Sequence, residues 1–335
     1  MPLTPLTAGV TIAGSLATQT YSELMPFQPD RSRASLERKY ANEASEFVDI
    51  GDVELHYRDE GQKDAQPLVM LHGTCSSLHT WDGWVSELSD EFRLVRVDLP
   101  GFGLTGPRES RHTLQGLIDS VGALCDHLEL SDVAVAGNSL GGGVAWRFSQ
   151  ARPELVSQLV LVDPGGASLL SHIARHYRTF GTDILPRYAT PRMAVRLLLR
   201  DAYGDTSKVT DDLVNRYYDL LLRSGNRKAV MELASNYRDD YFPENGALTT
   251  TNGPALPSRC EPSPTILDEY EMAEIAVPTL FQWGSEDTWL PEPFGRDLSK
   301  RIDTSHFITY DGVGHVPMEE APEITAADAA AFLSS

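Results

Sequence analysis

Cysteine is scarce in this chain: Cys75, Cys125 and Cys260 are the only three among 335 residues. Three scattered thiols exclude a disulfide framework and a cysteine-based zinc site, and are read as free. Positive charge is scarce too, with 28 Lys and Arg against 48 Asp and Glu for a net charge of -20. A surface of that sign repels phosphate backbones and anionic headgroups, which excludes nucleic acid as a partner and argues against membrane association. Long apolar runs are absent. The first 22 residues carry no charged side chain, but the stretch Ala8 to Ala17 lacks the basic start and strong apolar centre of a secretory signal. It also falls short of the roughly twenty apolar residues of a membrane span. Residues 1–45 are therefore expected to form a leader, partly disordered or loosely packed, on a cytoplasmic protein, with export or attachment through that leader as the alternative. His172 and His176 sit four apart, as helical metal ligands do, but lack the glutamate that should follow the first. They are read as polar residues on a solvated helix, and neither metal nor organic cofactor is expected.

From Glu46 onward strands and helices alternate. Phe47 to Ile50 and Val53 to Tyr57, split by Gly51-Asp52, predict an antiparallel hairpin. Pro67 to Leu71, Leu94 to Val97, Val133 to Ala136 and Leu159 to Val162 read as buried strands. Leu114, Leu117, Ile118, Val121, Leu124, Cys125 and Leu128 recur at helical spacing. This alternation predicts an α/β fold with a mostly parallel sheet covered on both faces. The strand signal then lapses. Residues 165–274 read as a helical insertion, with Thr190-Pro191 and Thr210-Asp211-Asp212 as helix starts. A Pro- and Gly-rich loop at 243–265 within it is a candidate lid. Strands resume at Val277 to Trp283 and His306 to Tyr310, and a helix over Thr325 to Leu333 closes the pattern. The core is accordingly assigned to residues 46–164 and 275–335.

Between the strand at 133–136 and the helix after it lies Gly137-Asn138-Ser139-Leu140-Gly141-Gly142-Gly143. A serine in so tight a turn needs neighbours without side chains, and its hydroxyl then stands at a helix N-terminus. A serine alone is a weak nucleophile and requires a base and an orienting acid. Two later strand ends offer them: Gly284-Ser285-Glu286-Asp287 and Gly312-Val313-Gly314-His315. The catalytic candidates are Ser139, Asp287 and His315. Glu286 and Asp163, which follows the strand at 159–162, remain rival acids. The loop His72-Gly73-Thr74-Cys75 follows another strand end, so Thr74 N–H is expected to join Leu140 N–H in holding an oxyanion, with Cys75 as a further donor. His72 is expected to brace that loop and take no part in proton transfer.

His72-Gly73, Asp98-Leu99-Pro100-Gly101-Phe102-Gly103, Gly137 to Gly142, Trp283 to Asp287 and Gly314-His315 together resemble the α/β-hydrolase superfamily, in particular its serine members with a helical cap. The resemblance covers about Phe47 to Leu333. It implies an eight-stranded sheet with the second strand antiparallel and an active site between sheet and cap. The implied activity is hydrolysis of a small or medium-sized carboxylic ester through an acyl-enzyme. Relatives of this fold that attack with aspartate are set apart by Ser139. Hydrolases of carbon–carbon bonds in aromatic ring-fission products share the elbow but carry a glycine- and proline-containing loop where this chain has Thr74-Cys75-Ser76-Ser77. Lactonases and perhydrolases share the triad, and a non-catalytic receptor of this fold is the alternative from another class. Trp289, Trp81 and Tyr217 are the candidate pocket residues, with Trp84 and Tyr218 beside them. The substrate itself and the oligomeric state are not legible.

Overall fold

The computed structural model describes residues 28–165, 190–241 and 275–335. His172, His176, Cys260 and the candidate lid at 243–265 lie outside the described residues.

The chain enters the described structure through helix α1 (Arg33–Tyr40), which the sequence reading missed. Ser32 caps it by accepting from Ser35 N–H at 3.3 Å. Its one buried residue, Leu36, is 1% exposed and packs with Leu104 of the core and Leu220 of the inserted helices. Backbone bonds from Arg31 N to Leu222 O (2.7 Å) and from Ser224 N to Arg31 O (3.0 Å) fasten the same segment. Residues 28–45 of the expected leader thus carry a helix and backbone bonds that touch both parts of the molecule, while residues 1–27 lie outside the described residues.

β1 (Ser45–Asp49) and β2 (Glu54–Gly61) form the expected hairpin, and Gly51 at its turn takes φ 104°, a backbone region that favours glycine. β3 (Pro67–Leu71), α2 (Asp82–Leu88), β4 (Arg93–Val97), α3 (Leu114–His127), β5 (Val133–Asn138), α4 (Leu140–Ala151) and β6 (Val156–Val162) follow. The inserted stretch contributes α5 (Arg192–Ala202), α6 (Asp211–Leu221) and α7 (Asn226–Tyr241). Then come β7 (Thr279–Gly284), α8 (Glu292–Ser299), β8 (Ser305–Tyr310), α9 (Pro317–Glu320) and α10 (Pro322–Leu333). The eight strands form one sheet in the order β1-β2-β4-β3-β5-β6-β7-β8. β2 runs antiparallel to both neighbours, and the remaining pairs are parallel. This is the α/β architecture the sequence implies.

The pleat explains why the central strands read as unbroken apolar runs. Alternate residues point to opposite faces, and both faces are covered. Val69, Leu71, Val133 and Val135 join one apolar cluster with Trp146, Phe281 and Trp283. Leu68, Met70, Ala134 and Ala136 join the other with Trp81, Trp84 and Met318. Each large side chain so buried contributes about 1.5–3 kcal/mol. Helix starts follow their caps: Thr210 Oγ1 accepts from Leu213 N–H at 3.2 Å, while Pro191 and not Thr190 precedes the first helical residue of α5. Among the described residues, no helix is long and apolar enough to cross a membrane.

Candidate active site

Ser139 lies between β5 and α4 with φ 54° and ψ -118°. A positive φ on a non-glycine residue stores on the order of 1–3 kcal/mol of strain and persists only where the surroundings fix it. Three backbone bonds do so: Ser139 N to Val162 O (3.1 Å), Gly143 N to Ser139 O (3.0 Å) and Gly165 N to Ser139 O (2.8 Å). Glycine is required at 141, because a Cβ there would collide with the carbonyl oxygens of Leu71 and His72. It is required at 73 because a Cβ would stand 2.8 Å from Asn138 Oδ1 and 3.1 Å from Ser139 Cβ. The loop after β3 thus lies against the serine.

His315 occupies the loop after β8. Its Nδ1 lies 2.6 Å from Asp287 Oδ2, while its Nε2 is buried and has no hydrogen-bond partner. Two contacts hold its backbone: His315 N donates to Ala202 O at 2.7 Å, and Asn138 Nδ2 donates to His315 O at 3.0 Å and to Val162 O at 3.1 Å. Asn138 went unnoticed in the sequence. The available signal was an amide at the end of an otherwise apolar strand. Asp287 Oδ1 accepts from Trp289 N (2.8 Å) and Leu290 N (2.9 Å). Burial pushes the Asp287 carboxyl up, but the charge and hydrogen bond of His315 outweigh it and hold the group below its ordinary value. Of the rival acids, Glu286 is exposed. Asp163 is fully buried but makes no hydrogen bond to His315.

Leu140 is the first residue of α4, where a backbone N–H has no acceptor within the helix. The loop after β3 turns through a bond from Ser76 N to Gly73 O (3.2 Å), with Cys75 at φ 62°. His72 braces it as expected. Leu99 N donates to His72 Nε2 at 3.0 Å, which assigns the ring hydrogen to Nδ1, 2.8 Å from Gly73 O. Burial lowers the His72 pKa and keeps the ring neutral. Burial also pushes the Cys75 thiol up to about 12, which favours the thiol over the thiolate.

The pocket candidates separate. The half-buried Trp289 ring lies 4.8 Å from the His315 ring, and its Nε1 donates to Asp201 Oδ2 at 2.6 Å. Tyr217 is buried, donates to Glu319 Oε2 at 2.6 Å and accepts from Ser76 Oγ at 3.2 Å, beside the oxyanion loop. Trp81 is a correction. It is wholly buried in the core, edge-on to Trp84 with ring centroids 4.9 Å apart, because the short helices after β3 turn their aromatic residues toward the sheet. Trp84 is equally buried and bonds Thr325, while Tyr218 bonds Thr190 O. A cavity of about 590 Å³ is lined by Tyr40, His79, Tyr203, Arg216 and Glu319 among others, but by none of Ser139, Asp287 and His315. It shares Glu319 with Tyr217 and has no contact with the chemistry. Among the described residues, the one cluster with metal-ligand spacing is Asp163, Asp287 and His315. The 2.6 Å His315–Asp287 bond already uses an atom of each of those two.

A family model described as "Alpha/beta hydrolase family" matches residues 68–329. A 2-hydroxy-6-oxononadienedioate/2-hydroxy-6-oxononatrienedioate hydrolase of Pseudomonas putida is 29% identical over 277 residues, covering 79% of this chain and 86% of that protein. The crystal structure of a serine hydrolase involved in carbazole degradation superposes with a TM-score of 0.67 at 24% identity, covering 87% of this chain and 98% of that one. A thermophilic esterase from Thermogutta terrifontis superposes with a TM-score of 0.65 at 21% identity, covering 87% and 98%.

Proposed function

From the premise that the chain belongs to the alpha/beta hydrolase family and is a hydrolase, we propose that it cleaves a carboxylic ester of a small or medium-sized substrate through an acyl-enzyme on Ser139. The observation that carries the reading is the one-sided engagement of the His315 ring. Asp287 holds Nδ1, and the buried Nε2 is left without a partner in a chain whose strained serine is tied to the same loop through Asn138. In this reading His315 Nε2 takes the Ser139 proton as Oγ attacks the carbonyl, and Asp287 stabilises the imidazolium that forms. The N–H groups of Leu140 and Thr74, with Cys75 as a further donor, hold the tetrahedral oxyanion, each contributing about 3–4 kcal/mol. Collapse returns the proton to the departing alcohol, and the same base then activates water to release the acid. Trp289, against the His315 ring, borders the substrate, and the inserted helices α5 to α7 act as part of the cap over it.

A second reading is carbon–carbon bond hydrolysis of a ring-fission product, favoured by the named activity of the Pseudomonas putida relative. Turnover of p-nitrophenyl esters graded by acyl length, and of a ring-fission dienone, by wild type and Ser139→Ala tests both. The ester reading expects ester turnover that is abolished in Ser139→Ala. Faster turnover of the dienone than of every ester transfers the proposal to the second reading. Equal ester turnover by both proteins overturns the serine mechanism.

A further inference from the structure

Among the buried ionisable groups that the mechanism above leaves unused, Asp163 is the one grouped with Asp287 and His315. Asp163 stands at the end of β6, one strand over from the β7 end that delivers Asp287. Its backbone takes φ 41°, and its N–H donates to Gln282 O at 2.9 Å, so the side chain is held by a strained but anchored residue. The residue is 0% exposed. One carboxyl oxygen, Oδ1, accepts from Gly284 N at 3.2 Å, and the other, Oδ2, is buried with no hydrogen-bond partner. Asp163, Asp287 and His315 each present an atom within 4.8 Å of the others.

Two buried carboxylates at that separation, facing a single histidine, do not both ionise readily, because in a buried site the charge on one raises the cost of charging the other. The donors decide which of them keeps the proton. Asp287 receives three, from Trp289 N, Leu290 N and His315 Nδ1, whereas Asp163 receives only Gly284 N. The negative charge therefore belongs on Asp287 and the proton on Asp163. Burial, reinforced by the charge of Asp287, pushes the Asp163 carboxyl well above its ordinary value. Oδ2 is then an O–H, and the neighbouring Asp287 carboxylate, an atom of which lies within 4.8 Å of one of Asp163, is the acceptor this reading assigns to it.

We propose that Asp163 is a proton-bearing second carboxyl that orients Asp287 in the resting site and replaces it as the acid facing His315 when Asp287 is neutralised. In the first role it is a positioning residue. In the second, Asp163 loses its O–H proton to water, and the resulting carboxylate stabilises the imidazolium of His315. Only that one O–H bond breaks. The kinetic part rests on the serine-hydrolase reading, whereas the protonation state does not.

The experiment pairs kinetics with a readout independent of activity. Ester kcat and KM are measured from pH 5 to 9 for wild type, Asp163→Asn, Asp287→Asn and the double variant, with thermal unfolding of each. The amide of Asp163→Asn still donates to Asp287, whereas Asp163→Ala, measured alongside, removes the donor, so kcat is at least about tenfold lower in the alanine variant than in the asparagine variant, and equal kcat in the two overturns the positioning role. Asp287→Asn keeps at least about tenfold more kcat than the double variant, and that remainder rises with pH as Asp163 ionises. Equal rates for Asp287→Asn and the double variant at every pH overturn the reserve role. A kcat loss in Asp163→Asn as large as in Asp287→Asn overturns the positioning role. Carboxyl 13C NMR of the wild type, assigned through Asp163→Asn or through Asp163→Ser where the amide does not fold, reads the proton directly. Asp163 is expected to stay protonated at pH 7, and ionisation below pH 5 overturns the proposal whatever the enzyme hydrolyses.

Discussion

His56 Nδ1 lies 2.7 Å from Asp98 Oδ2, and His56 Nε2 lies 3.0 Å from Ser45 Oγ. The described residues therefore include two groupings of serine, histidine and aspartate, and they differ in what is left over. Around the first, Asp98 also accepts from Leu78 N (2.8 Å) and Leu104 N (2.7 Å), and Ser45 Oγ accepts from Arg58 Nε and Asn42 N, both at 3.1 Å. The Ser45 hydroxyl has Asn42 Oδ1 at 3.4 Å as an acceptor besides its contact with His56. Every polar atom has a task, and the network pins the β1–β2 hairpin to the loop after β4. Around the second grouping, His315 Nε2 and Asp163 Oδ2 are buried and unmatched. Buried polar groups normally find partners, so each unmatched one calls for an explanation, and at these two atoms the serine-hydrolase reading supplies one: a proton to be received and a proton to be held. Residue types alone do not separate the two. Unused hydrogen-bonding capacity does.

The contrast breaks most visibly at the serines. Ser139→Ala is expected to lower ester kcat by about 10⁶-fold with the unfolding temperature retained, whereas Ser45→Ala leaves kcat within about threefold. A comparable loss at Ser45 would make the saturated grouping catalytic as well. Next in size is Asp98→Ala, which strands Leu78 N, Leu104 N and His56 Nδ1. Urea unfolding should show a loss of about 3–5 kcal/mol, with kcat per folded molecule unchanged. If stability is retained while kcat collapses, the assigned roles are reversed.

The two groupings should also respond to pH with opposite sign. Burial pushes Asp98 up, but the hydrogen bond and charge of His56 outweigh it and hold the carboxyl below its ordinary value. Its contribution is thus present above the unfolded carboxyl pKa of about 3.9 and lost as pH falls through the native value. Asp163 is raised in the folded state, so its contribution is full below about 3.9 and declines by up to about 1.4 kcal/mol per pH unit as pH rises toward the native value. Unfolding temperatures of Asp163→Asn and wild type should therefore diverge in favour of the variant above pH 4. Those of Asp98→Asn should fall furthest behind wild type near neutrality. Parallel curves would remove the distinction. The smallest effect is the stability of Ser45→Ala, a loss of about 1 kcal/mol by urea unfolding.

The parts legible in the sequence are those where local geometry forces residue type. A strained serine demands glycines at fixed offsets, and buried strands demand apolar runs, so Ser139, Asp287, His315 and the strand pattern could be read in chain order. Helix α1 could not: Leu36 is its one buried residue, and a polar helix with a single anchor has no periodicity to detect. Trp81 was misplaced because an aromatic residue after the oxyanion loop suits either a pocket or a core, and only the orientation of the short helices decides. The division of one proton between Asp163 and Asp287 was likewise hidden. It depends on three backbone and ring donors that the fold brings to one carboxylate and not to the other.

The amide of Asn138 reaches across 177 positions of sequence to the carbonyl of His315. During synthesis the elbow around Ser139 can form long before its base exists, and that contact is made only once β8 has joined the sheet edge. On the serine-hydrolase reading, a nascent chain thus carries its proposed nucleophile with no means of activation. Contacts of such separation are also the slow ones in folding. Hydrolytic competence should therefore arrive late and abruptly, as a report that the last strand has docked.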